Sequence, residues 1–252
     1  MADKRLYENM RSVELKNLPD LPYSVDEALN NLKINIDMLG DKYKKIMVIS
    51  SVPDEGKSFV TMMLWRKFAE SGKSCLYIDA DLRKSVMVKK YEMERMGGEI
   101  RGLSSYLAGN VGVEKVLFKT DIKNGYVIPN KDNAPRPTLL FQNGRFEKLL
   151  SDMEANFDKI IIDVPPIDVV SDGNVIGTYC DGAVLVVRAG STNKRIVRRS
   201  VNQLTRMGCP ILGFVLNRTQ NRRSGYYGKK YGSYYGGYGG YGYGAYSDYY
   251  GE

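Results

Sequence analysis

Short β-branched runs separated by helical patterns fill the middle of this chain: Ile46–Ser50, Cys75–Asp79, Tyr126–Ile128, Lys159–Asp163, Ala183–Val187 and Ile211–Leu216. They are apolar at nearly every position rather than at alternate ones. A strand that is apolar on both faces must be covered on both, and a mainly parallel sheet between two layers of helices does this. The intervening patterns supply the helices: Val25–Met38, Ser58–Ser71, Arg145–Asn156, Asn193–Met207 and a short one from Asp172 to Tyr179. Prolines make Lys131–Thr138 a loop. The expected fold class is α/β, a doubly wound sheet.

The 252 residues divide into three parts. Residues 1–40 form an N-terminal arm with one helix, 41–221 the α/β core, and 222–252 a tail. The tail has almost no aliphatic residue and cannot bury enough apolar surface to offset the entropy of ordering, so disorder is expected. It holds eleven of the nineteen tyrosines: Tyr226, Tyr227, Tyr231, Tyr234, Tyr235, Tyr238, Tyr241, Tyr243, Tyr246, Tyr249 and Tyr250. Most of the spacers are glycine, and a Tyr-Gly adhesive element is one reading of such composition.

Several function classes fall away. The chain has no histidine, which removes Ser-His hydrolysis, His-ligated metals and imidazole acid–base chemistry. Proton transfer is left to carboxylates, lysine or water. Cys75, Cys180 and Cys209 are isolated, so zinc and iron–sulfur sites are not expected and all three read as buried thiols. No apolar run approaches the ~18 residues of a membrane span, and the charged N-terminus lacks a signal-peptide core. A cytoplasmic location is expected, with the membrane reached by surface contact or through a partner.

Charge is unevenly placed. Between Lys194 and Lys230 lie ten lysines and arginines and no Asp or Glu, which leaves the remainder at −2 of the total +8. Such a stretch is either a solvated helix face or a surface for acidic lipid, nucleic acid or phosphate.

The chemistry concentrates at three expected strand ends. The run IMVIS leads through Ser51-Val52-Pro53-Asp54-Glu55-Gly56-Lys57-Ser58 and Phe59 into the helix expected over Ser58–Ser71. Gly56-Lys57-Ser58 reads as the end of a phosphate-binding P-loop, although the usual first glycine is absent. Glycine lets backbone approach phosphate, the helix N-terminus aims amides at it, Lys57 reaches the β/γ-phosphates and Ser58 meets Mg²⁺. The second run ends in Asp79 and Asp81, which alternate and point the same way. The fourth ends in Asp163. Strand C-termini of a doubly wound sheet open onto the ligand crevice, so Lys57, Ser58, Asp79, Asp81 and Asp163 are expected to converge.

These motifs resemble those of the bacterial tyrosine kinases of the capsule and exopolysaccharide co-polymerase system, in the form where the kinase is a separate cytoplasmic protein. The matching residues are Pro53-Asp54-Glu55-Gly56-Lys57-Ser58, Ile78-Asp79-Ala80-Asp81-Leu82-Arg83, Asp163-Val164-Pro165-Pro166, the segment Gly102–Gly109 and the tyrosine cluster. The resemblance implies a P-loop NTPase-like fold with ATP and Mg²⁺ as cofactors. It also implies that the kinase autophosphorylates the tail tyrosines in trans and regulates polysaccharide synthesis and export. Pro53 to Phe59 would contact nucleotide, Arg83 would bind its phosphate or else a carboxylate, and Asn217 would lie at the adenine or else cap the strand end. Ser58, Asp81 and Asp163 would serve the metal, and Asp79, with Asp81 supporting or sharing the role, would accept the phenol proton. The implied partners are a membrane activator subunit, further copies of the chain in a ring, and a cognate phosphatase; no nucleic acid is expected. Glu27, Asn30 and Lys33 resemble the family's oligomerisation motif, Glu-x-x-Arg-x-x-Arg, with Asn30 in place of its first arginine. Partitioning and septum-positioning ATPases of the MinD and ParA type are the alternative. They carry an extra lysine early in the loop, and there is none here between Ser50 and Gly56.

Overall fold

The parity of the central strands organises the core in the computed structural model, which describes residues 10–95 and 97–219. Along β2 (Lys45–Ser50), Ile46 and Val48 enter one apolar cluster while Met47 and Ile49 enter another. In β3 (Cys75–Asp79), Cys75 and Tyr77 face the first cluster, and Leu76 and Ile78 the second. The two clusters are the two faces of one sheet, and each needs its own helical cover. Helices α1 (Tyr23–Met38) and α2 (Lys57–Glu70) cover the first face. The second is covered by α4 (Leu103–Leu107), α5 (Pro137–Gln142), α6 (Arg145–Glu154), α7 (Asp172–Gly177) and α8 (Lys194–Arg206). A short helix, α3 (Met87–Lys90), lies on the α2 side through Met87.

The remaining strands are β1 (Ser12–Leu15), β4 (Met93–Glu94), β5 (Phe118–Thr120), β6 (Gly125–Ile128), β7 (Lys159–Asp163), β8 (Gly182–Arg188) and β9 (Ile211–Asn217). The sheet order is β4-β1-β5-β6-β3-β7-β2-β8-β9. From β6 to β9 every neighbouring pair is parallel. All six strands expected from the sequence are in this part. The α/β class with a mainly parallel sheet and helices on both faces stands. At the other edge β5 is antiparallel to β6, β1 parallel to β5, and β4 antiparallel to β1.

Two expectations need correction. Lys131–Thr138 is not wholly loop, because α5 begins at Pro137, a residue whose fixed φ suits a first helical position. Cys75 and Cys209 are buried, but Cys180 is only half-buried. The N-terminal arm contributes Val13, Leu15, Leu29 and Ile36 to the core beneath α2. On α1, Glu27 is exposed, Asn30 Nδ2 donates to Asp26 Oδ2 at 3.2 Å, and Lys33 pairs with Asp37 at 2.9 Å. The tail and its eleven tyrosines lie outside the described residues, as does the expectation of disorder made for them.

Candidate active site

Tyr77 and Asp79 of β3 share parity, and so do Ile161 and Asp163 of β7. Both acids therefore leave their strand ends on the face covered by α2. They are register partners on adjacent parallel strands. The first turn of α2 stands opposite. Lys57 Nζ lies 2.7 Å from Asp163 Oδ1 and 3.7 Å from Asp81 Oδ2, with all three side chains buried. β3 ends at Asp79, so Asp81 is not a strand residue. It reaches the same cluster because the chain turns tightly, Asp81 N–H donating to Asp79 Oδ1 at 3.2 Å.

Residues not anticipated from the sequence complete the cluster. Thr61, one turn along α2 from Lys57, donates to Asp163 Oδ1 at 3.2 Å. The Tyr77 hydroxyl donates to Asp163 Oδ2 at 3.1 Å. Ser85 Oγ donates to Asp79 Oδ2 at 2.6 Å. The i, i+4 spacing of Thr61 from Lys57 and the two-residue spacing of Tyr77 from Asp79 are signals that could have found them; Ser85 gave no local signal.

The electrostatics follow from three carboxylates and one ammonium in a buried site. Burial pushes the Asp79 carboxyl well above its usual value, and the neighbouring charge of Asp163 adds to that, against the hydrogen bond from Ser85. Burial disfavours the Lys57 ammonium, but Asp163 and Asp81 outweigh it and hold its pKa above the usual value. Burial, reinforced by Asp163, also raises the Tyr77 phenol well above its ordinary value.

The loop from Ser51 to Gly56 is held by its own side chains. Glu55 turns inward. Its Oε2 accepts from Ser51 N–H at 2.7 Å and Val52 N–H at 2.9 Å, and its Oε1 from Arg188 N–H at 3.0 Å and from the Thr192 hydroxyl. Asn217 Nδ2 donates to Glu55 O at 2.9 Å. Gly56 takes φ +86°, and a Cβ there would sit 2.1 Å from Asn217 Nδ2. Glycine thus serves both a left-handed backbone and a close approach. Asp54 is exposed at the loop tip with φ +62°. Pro53 and Ser58 are half-buried, and Ser58 Oγ lies 3.4 Å from Lys57 Nζ. Phe59 packs against the core with Lys90 Nζ 5.8 Å from its ring centroid.

Three residues expected at the nucleotide have protein partners. The Glu55 carboxylate is occupied by the four donors above. Arg83 binds Asp172 through Nε at 2.7 Å and Nη2 at 3.3 Å, and Asp172 is wholly buried and also accepts from the Thr138 hydroxyl. Asn217 braces the loop.

The first amides of α2 have no carbonyl in their own helix and form a ready anion cradle. No group of three His, Cys, Asp or Glu residues spaced to hold a metal ion by itself occurs among the described residues. Mg²⁺ beside a phosphate takes most of its oxygen ligands from phosphate and water and needs only one or two from protein, which Ser58 and the hard carboxylates of Asp81 and Asp163 can provide.

A strand, a phosphate loop and a helix that set a lysine and a hydroxyl against strand-terminal aspartates define the class of P-loop nucleotide-binding proteins. A family model described as an AAA domain matches residues 43–188. The tyrosine-protein kinase CpsD of Streptococcus agalactiae is 38% identical over 210 residues, covering 83% of this chain and 89% of that protein. The solved kinase domain of the Escherichia coli tyrosine kinase ETK superposes with a TM-score of 0.75 at 31% identity, covering 83% of this chain and 84% of that domain. The septum site-determining protein MinD of Pyrococcus horikoshii, solved with Mg-ADP, superposes at 0.60 with 21% identity, a likeness of fold alone. The chain belongs to the family of bacterial tyrosine-protein kinases that includes CpsD.

Proposed function

We propose that this kinase transfers the γ-phosphoryl group of Mg²⁺–ATP to the tyrosines of its own C-terminal cluster, one chain acting on another, and so regulates the synthesis and export of a capsular or extracellular polysaccharide. The observation that carries the reading is the buried cluster of Lys57, Asp163, Asp81 and Asp79 at the mouth of the phosphate loop. Bound Mg²⁺–ATP supplies the phosphoryl group and an ion to share its charge. Lys57 is assigned to the β/γ-phosphates, and Ser58 and Asp163 to the ion, with Asp81 in support. Gly56 and the first amides of α2 cradle the phosphates. Phosphoryl transfer asks the protein for positioning and charge neutralisation, which a lysine among carboxylates provides.

Asp79 is assigned the phenol proton. A phenol with a pKa of about 10 needs a nearby acceptor. Burial and Asp163 raise the proton affinity of Asp79 in the direction an acceptor requires. In this reading the protein lies at the inner face of the membrane through an activator subunit, assembles with further copies of itself, and is reset by a phosphatase. No helix among the described residues is long and apolar enough to cross a membrane.

Incubation with ATP and Mg²⁺ followed by mass spectrometry of the tail tests the reading. Phosphotyrosine on residues 226–250 is expected, and released phosphate with no phosphotyrosine overturns it in favour of a positioning ATPase. Mixing Lys57→Met full-length chain with an active chain whose tail tyrosines are phenylalanine tests transfer in trans. Phosphate on the Lys57→Met tail is expected.

A further inference from the structure

Helix α8 presents a cationic ridge that the phosphoryl-transfer site does not use. Its buried side is Ser200 and Leu204, with Val197 and Val201 packed on the core. The opposite side exposes Lys194, Arg195, Arg198, Arg199 and Arg206, and the helix contains no acidic residue. At 100° per residue, Arg195, Arg199 and Arg206 form one line, with Arg198 beside it. Arg199 pairs with Asp168. Lys194, Arg195, Arg198 and Arg206 have no acidic partner among the described residues, so uncompensated positive charge runs the length of the helix.

The topology places this ridge where the tail begins. β8 and β9 are parallel neighbours, with Arg188 opposite Asn217, and Ala189 N–H donates to Asn217 O at 2.9 Å. α8 starts five residues after Ala189, at the same end of the sheet at which β9 releases the chain toward the tail. From Arg195 to Arg206 the helix rises ~16 Å. Extended chain covers that length in about five residues, the separation of Tyr238 and Tyr243, with Tyr241 between them.

We infer that the outer face of α8 is the docking site of the phosphorylated C-terminal segment of this chain. Charge complementarity selects that occupant. Residues 222–252 carry four cations against two carboxylates, a net of +2, and the unmodified segment is repelled by the ridge. Each phosphotyrosine adds about −1.5 to −2, so two reverse the sign, and arginine is the side chain best shaped to grip phosphate in a fork. The ridge then reads the modification state of the tail. This assignment rests on the proposal that the tail tyrosines are phosphorylated.

The test uses a synthetic fluorescent peptide of residues 236–246 with phosphotyrosine at positions 238, 241 and 243, its unphosphorylated twin, and phosphatase-treated full-length protein without ATP. The phosphorylated peptide should bind at least tenfold more tightly than the twin, and more weakly as salt is raised. The triple variant Arg195→Glu/Arg198→Glu/Arg206→Glu should lose at least tenfold, and the Gln triple variant, checked for an unchanged melting temperature, should lose a smaller but clear amount. Equal binding of both peptides, or undiminished binding by both triple variants, overturns the proposal. Cosedimentation with phosphatidylserine vesicles runs alongside: loss of vesicle binding with phosphopeptide binding intact reassigns the ridge to a membrane surface and also overturns it. Because the peptide is phosphorylated by synthesis, its binding is independent of the chain's activity. Failure of autophosphorylation with peptide binding intact would sink only the functional reading.

Discussion

Replacing Gly56 with alanine tests how the phosphate loop is built. Two costs follow from the structure. The residue sits at φ +86°, and a side chain in left-handed backbone costs about 1–2 kcal/mol. The new Cβ would lie 2.1 Å from Asn217 Nδ2, so Asn217 must swing away and give up its 2.9 Å bond to Glu55 O, a net loss of about 1 kcal/mol. The expected destabilisation is about 2–3 kcal/mol, or about 5–10 °C in melting temperature for a chain of this size. Asn217→Ala alone forfeits that bond, about 1 kcal/mol; the 2.8 Å bond that Asn217 Oδ1 accepts from Arg218 N–H is exposed, and water replaces it. In the double variant the bond to Glu55 O is already gone, so only the backbone cost of Gly56→Ala is added. The double variant should therefore equal Gly56→Ala alone, with a coupling of about 1 kcal/mol. Urea unfolding of the four proteins measures it. Additive costs would mean that Gly56 serves the backbone alone and that the approach of Asn217 is incidental.

Other substitutions separate structural from chemical roles. Asp79→Asn should abolish phosphotyrosine formation yet melt higher than the parent at pH 8. The Asp79 pKa is raised in the folded protein, so its stabilising contribution is fully present below its unfolded pKa and is lost as pH rises through the folded value; a stability gap that widens toward pH 4 instead of closing would contradict this. Arg83→Ala should cost about 3 kcal/mol by stranding the buried Asp172 carboxylate, and Asp172→Asn should restore much of it; an unchanged melting temperature with a large rise in the KM for ATP would return Arg83 to the nucleotide. The native thiols should be unreactive toward a disulfide reagent at pH 8, because burial pushes Cys209 to about 12 and raises Cys75 well above the ordinary range, as it does the thiol of half-buried Cys180, whose Sγ turns inward to donate to Ile176 O at 3.3 Å. A single fast thiol before unfolding would refute that.

The central strands were legible because burial on both faces leaves a continuous apolar run that few other structures produce. The edge was not. β1 exposes alternate residues, β5 has three residues and β4 two, so neither length nor pattern rises above that of a loop. At the site, Lys57, Asp79, Asp81 and Asp163 were legible because their chemistry stands at strand ends. Tyr77 was disguised as one more core aromatic in an apolar strand, although its two-residue spacing from Asp79 carried the signal. Arg83 was ambiguous for a physical reason: a guanidinium grips phosphate and carboxylate with the same fork. Its partner Asp172 is 89 residues away, a pairing that only the folded chain makes.

The missing first glycine of the loop also has a structural answer. Ser51 stands at that position, and among the described residues it is not one of those with positive φ, so its backbone does not require glycine. Its hydroxyl instead accepts a 3.0 Å hydrogen bond from Ser200 on the buried side of α8. Glu55 would oppose an anion if it faced the crevice, but its carboxylate is turned inward, and two of its four donors are loop amides. The other two, Arg188 N–H and the Thr192 hydroxyl, lie just before α8. The loop is therefore tied to α8 directly through Ser51, and through Glu55 to the end of β8 and the connection that leads into α8. In a densely packed interior such ties transmit small shifts, so a ligand on the cationic outer face of α8 would act through that helix on the loop proposed to hold the phosphates.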